Sequence, residues 1–220
     1  MSAVVFEKRS VARGILLSVS GGIMDAYSFI ARGGVFANAQ TGNIVLLGVN
    51  LSTGEFAKAL HYLFPICAFA LGVFVSYILQ NIKKSGKFPW EAALLLMNAV
   101  LLPVSAFIPI GTAACALISF CCGAQLSAFR KTAGVHVATT MCIGNLQNLV
   151  RCITEYIFKK DKELIKTAFV YGFMLTSFFV GAVLGNALIN LFGVYAVCFC
   201  AAFQLAAIPL ALSLKNSENE

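Results

Sequence analysis

The sequence predicts an all-α, polytopic membrane protein whose six transmembrane helices form an inverted 3+3 repeat. Three observations support this fold class. Of the 220 residues, 60% are hydrophobic and 11% are charged, and the mean hydropathy is +0.87, whereas soluble domains are about 25% charged. Two stretches of the chain that lie 102 residues apart resemble each other. The basic residues are also distributed unequally between the predicted loops.

Six segments are long and apolar enough to cross a bilayer, which takes about 20 residues. Two shorter apolar stretches, roughly 35–50 and 136–150, lie between them. The first segment resembles a signal peptide, but Asp25 interrupts its apolar run and the repeat continues through the apparent cleavage site. It is therefore interpreted as a first span. The predicted spans are roughly 11–31, 59–80, 90–109, 112–130, 166–189 and 192–214.

An internal repeat relates the two halves of the chain. Residues 19–47 align without a gap with residues 121–149, and seven of the 29 positions are identical. The identical pairs are Gly21/Gly123, Ala26/Ala128, Ala31/Ala133, Val35/Val137, Gly42/Gly144, Asn43/Asn145 and Leu47/Leu149. Downstream matches follow in the same order: Phe69-x-x-Gly72 with Phe178-x-x-Gly181, Leu79 with Leu188, and Asn98-x-x-x-x-Pro103 with Gln204-x-x-x-x-Pro209. The repeat predicts one membrane domain made of two halves, residues 1–110 and 111–220.

The positions of Lys and Arg distinguish six spans from eight. With six spans and a cytoplasmic N-terminus, 14 basic residues are inside and only Arg32 and Lys58 are outside. With eight spans, the loop Lys83–Lys87, Arg130 and Lys131 move outside, and the count becomes 10 to 6. The positive-inside rule therefore favours six spans with both termini cytoplasmic. Three helices per repeat then require the second copy to be inverted.

Inversion directs the two short stretches towards the middle of the bilayer from opposite sides. Residues 33–41 are rich in Gly and small polar residues, and at about 3.3 Å per residue they can reach the midplane, roughly 15 Å away. Each repeat is thus predicted to carry a short re-entrant or half helix after its first span. Non-helical backbone at that depth must be buried in protein or line a wet cavity. The connections Ile110–Gly111 and Asn190–Leu191 are predicted to lie outside.

Asp25 is the only carboxylate well inside a predicted span. A charge at that depth is costly and is usually functional, as a contact for an ion, a proton or a substrate. The alternatives are a protonated side chain, a helix-end cap or a salt bridge with Arg130. The repeat equivalent of Asp25 is Ser127, so a site that uses Asp25 would be asymmetric.

The run from Gln40 to Asn43 is predicted to open the first short helix, with Asn38 and Thr41 as N-cap candidates. A helix N-terminus at the midplane offers unpaired N–H groups and a positive dipole end to an anion or a carbonyl group. Alternatively, Thr41 and Asn43 satisfy backbone groups in a tight crossing, and Gly42 permits close approach. The second copy keeps Gly144 and Asn145 but lacks the hydroxyl group.

Two further polar residues are candidates for the same site. His136 lies in the second short approach and could relay protons, although a lone His is more often a hydrogen-bonded structural residue. Gln125 lies within a span, where amides more often hold helices together. The candidate substrate-binding or coupling residues are Asp25, Asn38, Gln40, Thr41, Gly42, Asn43, Gln125, His136, Gly144 and Asn145.

Several function classes are not expected. The eight cysteines show no C-x-x-C spacing, so neither a metal site nor a disulfide is predicted. No motif for an enzyme or a cofactor is present. The basic residues flank apolar segments, which is typical of membrane-protein loops rather than of nucleic-acid binding. The expected partners are the lipid bilayer, a small solute or ion, and a second copy of the chain through Gly-rich faces.

Two motifs resemble a known family. Gly21-Gly22-x-x-Asp25-Ala26 and the following Phe36-x-Asn38-x-Gln40-Thr41-Gly42-Asn43 are similar to the YoaK-type family of bacterial transmembrane proteins, which is catalogued as a domain of unknown function. The resemblance covers essentially the whole chain, and the second motif is its most specific part. It implies a multi-pass protein of the bacterial plasma (inner) membrane with about six helices, and it supplies no substrate.

The function expected from the repeat is that of a small-solute secondary transporter or channel, with its site between the two Gly-Asn segments. The alternative is a non-transporting membrane scaffold or assembly protein that binds a partner through its helices. A polar cavity that reaches Asp25 and Asn43 would favour transport, and a solid, dry bundle would favour the scaffold.

Overall fold

The computed structural model of the chain describes residues 3–82 and 89–218. The loop Lys83–Lys87, which is predicted to be cytoplasmic, lies outside the described residues. Almost all of the described chain is helical. The elements are α1 (Ala3–Ala31), α2 (Gln40–Ser52), α3 (Phe56–Ile82), α4 (Trp90–Ala106), α5 (Gly111–Ala128), β1 (Lys131–Thr132), β2 (Val135–His136), α6 (Ile143–Lys159), α7 (Lys162–Phe192), a 3-10 helix (Gly193–Val197) and α8 (Cys198–Glu218).

One end of the bundle is marked by the β1–β2 hairpin, in which Lys131 pairs with His136 and Thr132 with Val135; we call it the hairpin end. The start of α1, the end of α3, the start of α4 and the ends of α5 and α8 all meet there around one cavity. We call this the hairpin-end cavity; its lining includes Arg13, Gln80, Trp90, Ser127 and Leu214. The first half of α7 also lies at this end, since the Tyr171 hydroxyl donates to the His136 carbonyl group at 3.1 Å.

The opposite end is organised around Arg32, and we call it the Arg32 end. The buried Arg32 guanidinium donates to the carbonyl groups of Ser105, Ala106 and Ile108, each at 3.0 Å, which joins α1 to the end of α4. Its Nε donates to the Tyr27 hydroxyl at 2.7 Å. The long helices therefore run alternately between the hairpin end and the Arg32 end.

The Arg32 end is completed by α3, α5 and the connection between α7 and α8. A His61 ring nitrogen near the start of α3 contacts the Gly33 carbonyl group, and the other ring nitrogen contacts Thr112 near the start of α5. The Tyr27 hydroxyl donates to the Val194 carbonyl group at 2.8 Å. Three connections between helices are thus held together at this end.

Two pairs of helices cross at glycine residues. Helices α1 and α7 cross at Gly22 and Gly181, and helices α3 and α5 cross at Gly72 and Gly123. A Cβ atom at any of these four positions would collide with a backbone carbonyl oxygen of the facing helix. At the first crossing, Gly22 faces the oxygen of Phe178 and Gly181 faces that of Val19. At the second crossing, Gly72 faces the oxygen of Phe120 and Gly123 faces that of Phe69. The absence of a side chain lets the helix backbones touch, as in many membrane helix pairs.

The apolar helices establish a polytopic membrane protein. Among the described residues, four stretches are long and apolar enough to span a membrane by length and composition: Lys8–Ala31, Phe56–Asn81, Gly111–Ala128 and Lys162–Leu214. The fourth stretch contains both α7 and α8, and α4 is a shorter apolar helix. Large apolar side chains remain exposed along these helices, among them Leu71, Phe74, Phe173 and Phe179. In water such a surface would be costly, whereas lipid can cover it.

Two local predictions are wrong. The connection expected at Asn190–Leu191 is still helical, because α7 continues to Phe192 and ends at Gly193, whose φ of 56° favours glycine. Helix α2 begins at Gln40 as expected, but no side chain caps it. Asn38 and Thr41 are therefore not its N-caps, because the Asn38 amide is turned towards α1 instead.

Candidate functional site

Asp25 lies inside the protein and holds the loop before α2 against α1. The Asn38 backbone N–H donates to Asp25 Oδ1 at 2.8 Å, and the Asn38 side-chain Nδ2 donates to the Gly21 carbonyl group at 3.0 Å. The Ala37 backbone N–H donates to Ser28 Oγ at 3.1 Å. Because α1 carries Gly21, Asp25 and Ser28 on successive turns of one face, the loop follows the middle of α1.

Two asparagines form matching clamps on the loops that precede α2 and α6. The Phe36 backbone N–H donates to Asn43 Oδ1 at 3.1 Å, and Asn43 Nδ2 donates back to the Phe36 carbonyl group at 2.7 Å. Asn145 makes the same two bonds with Ala138, at 3.1 Å and 2.6 Å. In each case the asparagine lies in the first turn of the helix and the loop residue is seven positions earlier. Both loops thereby gain partners for backbone groups that are away from water.

The second loop meets α1 at the same level as the first. A Cβ atom at Gly21 would lie 3.2 Å from the Thr139 carbonyl oxygen and 3.4 Å from Thr140 Cα. The loops that lead into α2 and α6 therefore converge on α1 around Gly21.

Three buried polar atoms at this junction have no hydrogen-bond partner among the described residues. They are Asn38 Oδ1, Thr139 Oγ1 and Thr140 Oγ1, and each side chain is at most 1% exposed. Buried polar groups are nearly always paired in folded proteins, since each one left unpaired costs roughly 1–3 kcal/mol. Together with the Asp25 carboxylate, these atoms can supply hydrogen bonds to a small polar guest or to water.

The remaining residues of the Gly-Asn segments differ in exposure. Gln40 Nε2 donates to the Ala37 carbonyl group at 2.8 Å, and Gln40 Oε1 accepts from Asn43 at 2.9 Å, so Gln40 extends the first clamp. Thr41 and Gly144 are exposed, and a Cβ atom at Gly144 would meet no atom within 4 Å. At Gly42 it would meet only the Phe36 ring, at 3.3 Å. Neither glycine thus lies at a helix crossing.

Gln125 and His136 lie away from Asp25. Gln125 Nε2 donates to the Leu17 carbonyl group at 3.2 Å, and its Oε1 accepts from Gln204 at 2.7 Å. Gln204 also donates to Ser20 Oγ at 3.2 Å. These bonds join α1, α5 and α8, which is the packing alternative considered for Gln125. His136 is exposed in β2, where it lines the hairpin-end cavity.

The hairpin-end cavity does not reach the candidate site. Its volume is about 560 Å³, and its lining includes neither Asp25 nor Asn43. Leu17 and Phe129, which are fully or almost fully buried, pack together in the core between α1, α4, α5 and α8. Among the described residues, no group of three or more His, Cys, Asp or Glu side chains is placed to hold a metal ion.

Sequence reasoning missed the roles of Arg32 and Tyr27. A basic residue at the end of a predicted span is normally interpreted as a solvated loop charge. The Arg32 side chain is instead only 8% exposed and bonds to three carbonyl groups from the end of α4 onwards. No local pattern could have indicated this, because these three carbonyl groups are more than 70 positions away along the chain.

Two comparisons relate the chain to known proteins. The family described as "Protein of unknown function (DUF1275)" matches residues 13–210. The chain is also 26% identical over 179 residues to the UPF0700 transmembrane protein YoaK of Bacillus subtilis (strain 168), covering 77% of this chain and 79% of that relative. No solved structure matches the chain. The relative and the apolar helices agree on a bacterial membrane protein.

Proposed function

The chain belongs to the DUF1275 family of proteins of unknown function, as its motifs indicated, and we propose that it is a secondary transporter for a small polar solute. In this proposal it lies in the plasma (inner) membrane as a six-span inverted repeat. The substrate site lies between the two Gly-Asn segments, where both loops meet α1. Asp25 contacts the solute or carries a coupling proton.

The junction of the two loops with α1 is the observation that carries the proposal. Asn38 contacts Asp25 and Gly21 there, and Thr139 and Thr140 of the second loop lie against Gly21. A carboxylate and three unpartnered polar atoms inside a helical membrane protein are costly unless a guest or water satisfies them. Substrate sites of repeat-built transporters typically lie where short or broken helices meet near the midplane.

The packing supports an inverted repeat. The α1–α7 crossing corresponds to the α5–α3 crossing, since Gly22 faces Phe178 as Gly123 faces Phe69. The clamps of Asn43 and Asn145 agree with the offset of 102 residues in the ungapped alignment. In the ungapped alignment Gly123 pairs with Gly21, whereas at the crossings Gly123 corresponds to Gly22, one residue later. The second copy would then have one more residue than the first between this glycine and its clamp asparagine.

The helix directions support six membrane crossings. The stretch Lys162–Leu214 supplies two of them, α7 and α8, because the 3-10 helix between them lies at the Arg32 end. Helix α4 has 17 residues, or about 25 Å at 1.5 Å per residue, and it joins the same two ends as its neighbours. Helices α2 and α6 begin at the loop junction and would not cross the membrane. The positive-inside rule then makes the hairpin end, with both termini, cytoplasmic.

The two ends differ in a way that fits alternating access. The Arg32 end is closed by the bonds of Arg32 and Tyr27 to two helix connections. The hairpin end contains the cavity of about 560 Å³. That cavity stops short of Asp25, which by itself is the arrangement expected of the scaffold alternative; in the transport proposal this conformation would be closed to the solute. Solute exchange would require the hairpin end to open further.

The test is solute uptake by the purified protein in liposomes. A thermal-shift screen of small metabolites first identifies a stabilising solute, and uptake of that solute is then measured with and without a proton gradient. We expect the wild-type protein to accumulate the solute. Asp25→Asn should abolish gradient-driven uptake while the protein still inserts and elutes normally. Glu55→Gln, which changes an exposed carboxylate in the turn before α3, should transport as the wild type does.

A scaffold predicts a different result. If no solute stabilises or enters with the wild-type protein, and Asp25→Asn only lowers the melting temperature, Asp25 is a packing residue and the transport proposal is wrong. The same conclusion follows if Asp25→Asn and Glu55→Gln transport equally well.

A further inference from the structure

We propose that the hairpin-end cavity is a second binding site, specific for a phosphate-bearing anion on the side of the membrane that carries the β1–β2 hairpin. The site is separate from the Asp25 junction and does not depend on transport. Its polar walls are contributed by Arg13, Glu91, Ser127, Arg130, Lys131 and His136. Three segments that are distant in sequence, around Arg13, Glu91 and residues 127–136, therefore supply these walls.

The charge of the lining favours an anion. Three cationic side chains face one carboxylate among the described residues, so the net charge is +2 with His136 neutral. Arg13 donates to Glu91 at 3.0 Å and to the Lys131 carbonyl group at 3.4 Å, so Glu91 largely neutralises it. Arg130 and Lys131 retain the excess charge. The Arg130 guanidinium lies 5.1 Å from the centre of the Tyr77 ring, which steadies it at the rim.

Two further features point to a ligand with acceptor oxygens. Helix α4 starts in the wall of the cavity at Trp90, after Pro89, and no side chain caps its N-terminus. The positive end of this 17-residue helix therefore faces the cavity. Ser127 lines the cavity too, and its Oγ is buried without a hydrogen-bond partner among the described residues. An anionic oxygen would accept from both groups.

The size of the cavity indicates phosphate on an organic carrier. About 560 Å³ is within the range of small-molecule sites and exceeds what a lone inorganic anion fills. Trp90, Ala128 and Leu214 supply apolar wall for the carrier. The site is also distant from the Asp25 junction: Arg13 and Asp25 are 12 positions apart on α1, or about 18 Å at 1.5 Å per residue.

The same chemistry has two sources, an anionic phospholipid headgroup and a soluble phosphorylated solute. Glycerol 3-phosphate carries the group that they share, and glycerol is its neutral counterpart. The full-length protein is placed in nanodiscs of phosphatidylcholine, and binding of each compound is measured by calorimetry. In a second arm, phosphatidylglycerol is titrated into the nanodiscs and the melting temperature is followed.

The variant that tests the site is the double substitution Arg130→Gln and Lys131→Gln, with Ser127→Ala as a milder second variant. We expect saturable binding of glycerol 3-phosphate that weakens at least about tenfold in the double variant, because two charged hydrogen-bond donors to the phosphate are lost. Glycerol should not bind. Lys159→Gln is the matched control, because Lys159 pairs with Glu155 on α6 and does not line the cavity.

Each outcome decides the proposal. Binding of glycerol 3-phosphate in phosphatidylcholine nanodiscs supports the site, and it identifies a soluble ligand when phosphatidylglycerol has no effect on the melting temperature. A saturable phosphatidylglycerol effect that is lost in the double variant and kept in Lys159→Gln identifies a lipid headgroup. The proposal is overturned if neither ligand has an effect on the folded wild-type protein. It is also overturned if correctly eluting Arg130/Lys131 and Ser127 variants respond like the wild type.

Discussion

Arg32 shows how a charged residue can become part of the interior of a membrane protein. Its guanidinium bonds to the carbonyl groups of Ser105, Ala106 and Ile108, and its Nε bonds to Tyr27. Carbonyl groups at the end of a helix have no partner within the helix and carry its negative dipole end. A buried guanidinium, which has five donors in a fixed plane, matches that arrangement.

We expect Arg32→Gln to destabilise the protein by about 3 kcal/mol, because several carbonyl groups lose a charged donor at once. The measurement is the melting temperature in detergent. Lys58→Gln is the control at the same end: Lys58 is exposed and pairs with Glu55 at 3.4 Å, so its loss should cost less than about 1 kcal/mol. Equal melting of the two variants would contradict the role assigned to Arg32.

The two clamp asparagines give a matched prediction. Asn43→Ala removes two hydrogen bonds to loop backbone and Asn145→Ala removes three, the third to the Met141 carbonyl group, so each should lower the stability by about 2–4 kcal/mol. Asn50→Ala serves as the control, since Asn50 Nδ2 donates only within α2, to the Leu46 carbonyl group. Thermal melts in detergent compare the three variants. A loss confined to one of the two clamps would argue against their equivalence.

At the scale of elements, contact between helix backbones determines the arrangement of the bundle. In lipid there is little hydrophobic drive for one helix to leave the tails for another, so close packing decides which pairs form. Gly22 with Gly181, and Gly72 with Gly123, let backbones meet where any side chain would intervene. The loops before α2 and α6 then pack against α1, which these crossings hold in place.

Helix α7 contains an internal test of this interpretation. A Cβ atom at Gly181 would collide with the Val19 carbonyl oxygen, whereas a Cβ atom at Gly172 would meet nothing within 4 Å. We expect Gly181→Ala to reduce the yield of folded protein or to destabilise it by at least about 2 kcal/mol, as overpacking does. Gly172→Ala should be neutral or stabilising by up to about 1 kcal/mol, from helix propensity. Size-exclusion profiles and melts of the two variants provide the comparison.

At the scale of the whole molecule, the proposed topology depends on whether α2 crosses the membrane. With six spans the turn at Gly54 lies outside, and with eight it lies inside. The turn at Lys160, between α6 and α7, is inside in both arrangements. The alternating helix directions and the convergence of both short helices on α1 favour six.

We therefore expect a protease site inserted after Gly54 to be cut only from the outside of intact cells. The same site inserted after Lys160 should be cut only in inverted vesicles. Both turns are exposed and have positive φ angles at Gly54 and Lys160, so short insertions should be tolerated. Cleavage after Gly54 from the cytoplasmic side would rule out six spans and the inverted repeat.

The sequence by itself determined the membrane class, the family and the approximate helix boundaries. Long apolar runs, sparse charges and a matching motif are properties of the chain that need no tertiary contact. It also singled out Asp25, Asn38, Asn43 and Asn145, which are all buried in the structure, because polar residues stand out in apolar surroundings.

Only the tertiary structure decided what these residues touch. The Asn38 amide faces Gly21 rather than capping α2, and Gln125 lies in a network with Gln204 away from Asp25. Arg32 is buried, and the hairpin-end cavity is built from segments far apart in sequence. The physical reason is that a side chain's hydrogen-bond partner depends on how helices cross. Those crossings depend on close backbone contacts at four glycines, and the order of residues does not show which helix each glycine faces.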